Sequence, residues 1–260
     1  MHQANQVQAK QLFKKICRKA GVTIRDHGMI AVGDHILVGV SGGKDSMILL
    51  KVLAERKASL PFDFEITAAH ISAETVDYRI DLHALRAFCK AMNIEFLERT
   101  INPEINSDSK KAPCFICSWH RRKELFKLTK QLNCNKLAFG HHRKDALETL
   151  LMNMIYHGSI SSLPFSITMF NERIQLIRPL LDIEEGLLND YAKADRLVVV
   201  EKTCEYDSQN RRESIAGLLS DIEKIHGKGP FNMFKSMGKV CDEYLPKTKP
   251  GSTKDPGLST

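Results

Sequence analysis

Residues 35–57 constrain this chain more than any other stretch. His35 to Val40 (HILVGV) is a short apolar run rich in β-branched residues, the pattern of a buried strand. It runs directly into Ser41-Gly42-Gly43-Lys44-Asp45-Ser46, and Met47 to Lys57 (MILLKVLAERK) then reads as a helix. A strand, a glycine-rich loop and a helix in direct succession dictate a geometry. The glycines let backbone N–H groups converge on one point, and the helix N-terminus adds partial positive charge there. Such a corner holds an anion, and phosphate is the natural one. Ser41 and Ser46 offer hydroxyl donors, and Lys44 offers charge. Asp45 is out of place beside an anion unless it holds a cation, which points to magnesium bridging to phosphate. The spacing is not that of a kinase-type P-loop, because three residues separate Gly39 from Gly43 and Asp45 follows the lysine.

Apolar runs also predict strands at 64–71, 94–101 and 136–140, within 173–180, and at 198–201. Helical periodicity predicts helices at 5–20, 76–92, 114–132, 144–156, 184–194, 210–226 and 231–240. Residues 102–113 read as an exposed loop and 157–173 as irregular. Strands alternating with helices give an α/β fold with a doubly wound, mostly parallel sheet and right-handed crossovers, with helical additions at both ends. Ligands of such sheets sit beyond the carboxyl ends of the strands. The loops after Val40, Ile71 and Gly140 lie on that edge. Residues 1–30 are expected to form an N-terminal helical extension, 31–245 the nucleotide domain with a cysteine segment inserted, and 246–260 a disordered tail rich in Pro, Lys and Gly.

The net charge of +7 favours a polyanionic partner, nucleic acid first. The N-terminus lacks the apolar region of a secretory signal, and no apolar run approaches the ~20 residues of a membrane helix, so the chain is expected to be cytoplasmic and without a membrane partner. Seven cysteines, an odd number, argue against a disulfide framework. Cys114 and Cys117 form C-x-x-C within PCFICSWHRR. That spacing suits zinc, a redox dithiol or an iron–sulfur cluster. Cys204 is a third candidate ligand. Three thiolates with no fourth leave one metal position open, where a cluster iron can hold sulfide or substrate.

The string Ser41 to Ser46 resembles the pyrophosphate loop of the ATP-pyrophosphatase superfamily, whose members bind the β,γ-pyrophosphate of ATP and act at the α-phosphate. From about Ala31 to Val240 the chain resembles the TtcA family of tRNA-cytidine(32) 2-sulfurtransferases. The likeness rests on GVSGGKDS, on Cys114-x-x-Cys117-Ser118 with Arg121-Arg122, and on Gly140-His141-His142-Arg143. It continues through Glu148-Thr149-Leu150, Asn153-Met154, Ile177-Arg178-Pro179-Leu180 and Cys204 with Ser208-Gln209-Asn210. The resemblance implies ATP with magnesium, a 4Fe–4S cluster held by Cys114, Cys117 and Cys204, and tRNA as substrate. It also implies a sulfur donor such as a cysteine desulfurase, and it is compatible with a homodimer. This chain departs from the family's pattern at three places. Lys144 stands where the family has the first of two aspartates, with Asp145 as the second. Ser72 stands where the second strand ends in an acid. Around Cys204 a second cysteine is missing, and the spacing to Ser208 is one residue shorter.

The expected nucleotide site therefore comprises Val40, Ser41, Gly42, Gly43, Lys44, Asp45, Ser46, His70, Gly140 and His141. Lys44, Asp45 and Asp145 are the expected catalytic residues. An acid at Asp145 also suits the dipole of the helix it opens. His141 or His142 can bind phosphate or transfer a proton, or simply pack at the helix entry. Arg121, Arg122, Arg143, Arg211 and Arg212 are candidates for RNA phosphate contacts, against the alternative of a solvated charged face. Trp119 is either a base-stacking platform or a core anchor. Two other functions remain open at this level: a lysidine-type ligase with a structural metal site, and a non-catalytic sensor of nucleotide or RNA.

Overall fold

The computed structural model describes residues 2–74, 81–103, 113–171, 173–197 and 211–246, except for the side chains of 2–4, 113, 114, 211 and 212. A six-stranded sheet is built from β1 (His35–Gly39), β2 (Glu65–Ala73), β3 (Glu95–Ile101), β4 (Lys136–Ala138), β5 (Ser166–Met169) and β6 (Ile174–Ile177), in the order β3-β2-β1-β4-β6-β5. All neighbours pair in parallel except β5, which runs antiparallel to β6. The doubly wound, mostly parallel α/β fold expected from the alternation is present.

The winding reverses between β1 and β4. From β1 the chain moves outward to β2 and β3, then returns to the other side of β1 for β4 and β6. Register brings Gly39 level with Ala69, Val38 with Ala138, and Ala138 with Ile177. The loops after β1, β2, β4 and β6 therefore open onto one edge, around the switch point where ligands of this architecture bind.

Period-two alternation sends the strand side chains into two cores. Ile36, Val38, Ala68, Ala138 and Ile177 pack beneath α1 (His2–Asp26), α2 (Lys44–Ser59), α3 (Leu82–Ala91) and α6 (Glu185–Ala194). Leu37, Ala69, Ile71, Leu137 and Ile174 face α4 (Pro113–Gln131), whose Leu125 and Leu128 complete the second core. A third cluster joins Leu147 and Leu151 of α5 (Arg143–His157) to Ile215 and Leu219 of α7 (Arg211–Ile225), beside α8 (Gly229–Ser236).

Three differences from the sequence reading have physical causes. The first helix runs to Asp26, past Gly21, where a Cβ would stand 3.0 Å from the guanidinium of Arg56. Its Ile16, Ala20 and Ile24 are buried in the same core as the sheet. The stretch read as irregular contains β5, a four-residue edge strand with no buried side chain, which therefore carries no alternating burial signal. It turns back through Phe170 and Asn171, both left-handed at φ 56° and 54°, without the Asn-Gly pair that usually marks such a turn. The helix after the glycine loop begins at Lys44, inside the loop string itself. The strand expected at 198–201 and all of the expected tail but Pro246 lie outside the described residues. No helix among the described residues is long and apolar enough to cross a membrane.

Candidate active site

The loop after β1 is locked from within. Ser46 Oγ donates to the Gly43 carbonyl at 2.9 Å and accepts from Ser41 N–H at 3.1 Å. Ser41 Oγ lies 3.2 Å from Ser46 Oγ and accepts from Gly43 N–H at 3.3 Å. Gly42 takes φ +79°, a conformation that side-chain-bearing residues rarely adopt. No side chain caps α2, so the first-turn N–H groups that lack intrahelical acceptors point at the ligand edge. The strand side is equally fixed, since Val40 N–H donates to the Ala69 carbonyl at 2.8 Å.

The loop after β4 closes against this cradle. A Cβ on Gly140 would stand 2.8 Å from the carbonyl carbon and oxygen of Asp45 and 3.0 Å from Ser46 N. Only glycine permits that approach, so Gly140 belongs to the site by shape. Here α5 begins, with Asp145 Oδ2 accepting from His142 N–H at 2.8 Å. Asp145 thus caps the helix whose dipole its charge was expected to suit. His142 is buried, with Nε2 3.8 Å from Asp45 Oδ2 and Nδ1 3.5 Å from Asp145 Oδ2.

A carboxylate that sequence reasoning missed completes this cluster. Glu185, at the start of α6, lies 3.7 Å from Lys44 Nζ, 4.0 Å from His142 Nε2 and 2.9 Å from Lys144 Nζ. Burial works against its ionisation, yet the Lys144 hydrogen bond and charge, helped by His142 and Lys44, hold its carboxyl below the usual range. For Lys144 burial opposes the charge, but Glu185 outweighs it and the ammonium is raised above its ordinary value. Glu185 is 41 residues away in sequence, so only the fold shows that Lys144 comes with its own acid.

The donor set fits nucleotide and magnesium. Lys44 Nζ is 3.2 Å from Asp45 Oδ2, while Asp45 Oδ1 is buried without a hydrogen-bond partner among the described residues. An orphaned carboxylate oxygen inside a phosphate cradle is a place for a divalent cation. His70 is only 1% exposed and donates Nδ1–H to the Val40 carbonyl at 2.7 Å, which leaves a buried Nε2 acceptor with no partner among the described residues. Burial, the largest influence, holds its pKa below the ordinary histidine value; the Val40 hydrogen bond opposes and Arg121 reinforces this.

On the opposite face, α4 carries the cysteine segment. Cys114 and Cys117 stand three residues apart in its first two turns, near the N-terminus of the helix. Cys117 is buried. The side chain of Cys114 and all of Cys204 lie outside what is described, and no group of three metal-binding side chains occurs among the described residues. Trp119 is 39% exposed, with Lys123 Nζ 5.0 Å from its ring centroid, and Phe115 is also exposed. The core-anchor alternative for Trp119 is therefore not what the fold adopts.

The expected RNA-contacting arginines divide. Arg122 is exposed on α4, and Arg121 donates Nε–H to the Ile71 carbonyl at 2.8 Å, which ties α4 to the end of β2. Arg143 is not on a surface. It is 5% exposed, pairs with Asp182 Oδ1 at 2.9 Å and Glu184 Oε1 at 3.0 Å, and lies 4.9 Å from the Phe231 ring centroid. Its charge is consumed by the α5–α6 junction and is unavailable to RNA. The side chains of Arg211 and Arg212 lie outside the described residues. Arg178, named above only as part of a likeness, is 7% exposed at the end of β6. It donates from Nε to His141 Nδ1 at 3.3 Å and from a terminal nitrogen to the Pro164 carbonyl at 2.6 Å. Burial, with Arg122 nearby, draws it down to about 10, so it stays charged at neutral pH.

Comparison with known proteins agrees with this geometry. The model of the PP-loop domain family matches residues 2–219. The tRNA-cytidine(32) 2-sulfurtransferase of Polynucleobacter asymbioticus is 32% identical over 245 residues, covering 90% of this chain and 79% of that protein. Its namesake from Pelobacter propionicus is 33% identical over 240 residues, covering 90% and 88%. Among solved structures, the U34-tRNA thiolase NcsA from Methanococcus maripaludis, described with its 4Fe–4S cluster, superposes with a TM-score of 0.77 at 24% identity over 93% of this chain and 82% of that one, a likeness of fold. This chain belongs to the PP-loop domain family and, within it, to the family of the tRNA-cytidine(32) 2-sulfurtransferases.

Proposed function

We propose that this protein is an ATP-dependent tRNA sulfurtransferase of the cytoplasm, which adenylates the 2-carbonyl oxygen of a cytidine and replaces that oxygen with sulfur. The observation that carries the reading is the closure of Gly140 onto Asp45 and Ser46, which joins the phosphate loop to the loop after β4 across the switch point. ATP lies along these loops, with its β- and γ-phosphates on the Ser41–Ser46 amides and its base toward His70. The substrate oxygen attacks the α-phosphorus, a P–O bond forms, and the α,β-anhydride bond breaks to release pyrophosphate. Lys44 and the α2 N-terminus stabilise the charge growing on the leaving group. Asp45 is positioned to hold magnesium, which would neutralise further phosphate charge. Asp145 keeps the entry to α5 rigid, so that His141 and His142 hold their places.

Cys114, Cys117 and Cys204 would hold a 4Fe–4S cluster that presents sulfur, drawn from a donor such as a cysteine desulfurase, to the activated carbon, from which AMP departs with the original oxygen. Exposed Phe115 and Trp119 beside basic Arg122 and Lys123 suit a splayed-out base and its phosphates. The test is anaerobic purification with iron and labile sulfide measured per chain. About four of each, lost in Cys114→Ala, supports the reading. Cys204→Ala should abolish thiolation and keep ATP binding. Zinc, or no metal after reconstitution, sinks the cluster mechanism, and a Cys204→Ala protein that thiolates normally removes that residue from it.

A further inference from the structure

Two histidines at the ligand edge are held in opposite ways. His70 donates from Nδ1 to a carbonyl, whereas His141 faces a guanidinium with the same atom. A guanidinium has only donors, so the Arg178 Nε–H bond at 3.3 Å requires a lone pair on His141 Nδ1. An imidazolium would aim a second N–H at that donor. A neutral His141 with its proton on Nε2 satisfies this contact.

Arg178 is built to enforce this. Its backbone N–H donates to the Phe165 carbonyl at 2.9 Å, its terminal nitrogen grips the Pro164 carbonyl at 2.6 Å, and Pro179 follows. No carboxylate among the described residues forms an ion pair with it, although the equally buried Arg143 has two. Burying an arginine without a counter-charge is costly, and it favours an anion arriving in the same corner. His141 directly follows Gly140, the residue that abuts the phosphate loop at Asp45 and Ser46.

We propose that Arg178 is a positioning residue for adenylation, one that fixes His141 as the Nε2–H tautomer so that His141 donates a hydrogen bond to a phosphoryl group of the nucleotide and does not act as a base. The role rests on the adenylation reading above. A neutral N–H donor stabilises charge moving onto phosphate oxygens during pyrophosphate loss without taking up the proton. The negative phosphoryl group also supplies a counter-charge that Arg178 lacks among the described residues.

Two readouts test it. Nitrogen NMR of the histidine rings reports the tautomer without any turnover. The wild-type protein should show His141 unprotonated at Nδ1, and Arg178→Met should give a mixture of tautomers; Nδ1 protonated in the wild type overturns the proposal. The second readout is tRNA-dependent pyrophosphate release. Arg178→Met should lower kcat about a hundredfold, with the KM for ATP changed less than about threefold. His141→Gln, which keeps an N–H near the position of Nε2, should retain activity within about tenfold, whereas a base would be lost with that change. Acting through His141, Arg178→Met should then cost less than about threefold in the His141→Gln background. Equal costs in both backgrounds would show that Arg178 merely ties down Pro164. Absence of pyrophosphate release in the wild type would defeat the adenylation reading, while the ring spectra still decide the tautomer. An altered affinity for tRNA with normal release would assign Arg178 to a backbone phosphate of the RNA and overturn the nucleotide role.

Discussion

Arg143 and Arg178 are buried alike and serve opposite ends. Arg143 sits where α5, α6 and α8 meet, gripping Asp182 and Glu184 under Phe231 and Phe234. Burial alone would discourage ionisation of Glu184, but Lys19 from α1 and Arg143 together hold its carboxyl below the usual range. The cluster is neutral and aromatic-covered, a joint of the fold. Arg178 stands at the open edge of the sheet, and among the described residues its side chain hydrogen-bonds a carbonyl and an imidazole and no carboxylate. A buried cation whose charge is cancelled within the protein is architecture. One left uncancelled at a ligand edge is reserved for a charge that arrives with the ligand.

The sharpest way to break this contrast is a crossed pair of substitutions. Arg178→Met should cost about a hundredfold in pyrophosphate release and leave the melting temperature within a few degrees. Arg143→Met should do the reverse. Its acids are partly solvated, so the loss should stay near 2 kcal/mol, or roughly 4–8 °C, with release nearly normal at a temperature where the protein is folded. If both variants lose stability and activity in parallel, the two arginines do not differ in kind.

Gly140→Ala should come next. The new methyl group must displace the backbone of Asp45 or Ser46, so ATP affinity should fall at least about tenfold in calorimetry while the helical circular dichroism stays unchanged. Unaltered ATP affinity would mean that the two loops do not form one site. The smallest effect is a pH dependence. The folded value of His70 lies below its ordinary 6.5, so the unfolded chain takes up the proton more readily. Stability from neutral His70 is complete above about 6.5 and drains away as pH falls toward the lowered folded value. Urea midpoints should decline from pH 7 to 5, and His70→Gln should flatten that decline. A slope unchanged by this substitution would assign the acid sensitivity to another group.

What could be read in the sequence was local. The strand, glycine loop and helix at residues 35–57 are contiguous, and their geometry follows from residue types and order, as does the alternation that builds the parallel sheet. The Arg143 and Arg178 assignments were illegible for the opposite reason. Asp182 and Glu184 lie 39 and 41 residues from Arg143, and charge cancellation is a tertiary property that no motif displays. Glu185 was missed in the same way. Read along the chain, Lys144 looks like a lost acid, yet in the fold it brings Glu185 within 2.9 Å and so keeps a carboxylate beside Lys44 and His142. Ser72 has no such substitute among the described residues; its hydroxyl meets Thr100 Oγ1 at 3.0 Å and the Arg99 carbonyl at 3.3 Å. Strand β5 escaped notice because a short, exposed edge strand lacks a buried face to write into the sequence.

The central claim is that the phosphate cradle spends ATP to activate an oxygen of tRNA for replacement by sulfur. The most direct measurement incubates anaerobically reconstituted protein with tRNA, ATP, magnesium and sulfide, and follows pyrophosphate, AMP and 2-thiocytidine together. One pyrophosphate and one AMP for each thiolated cytidine, all absent without tRNA or in Lys44→Ala, is the result the structure predicts. Formation of ADP and inorganic phosphate, or pyrophosphate release with no sulfur entering the RNA, would contradict it.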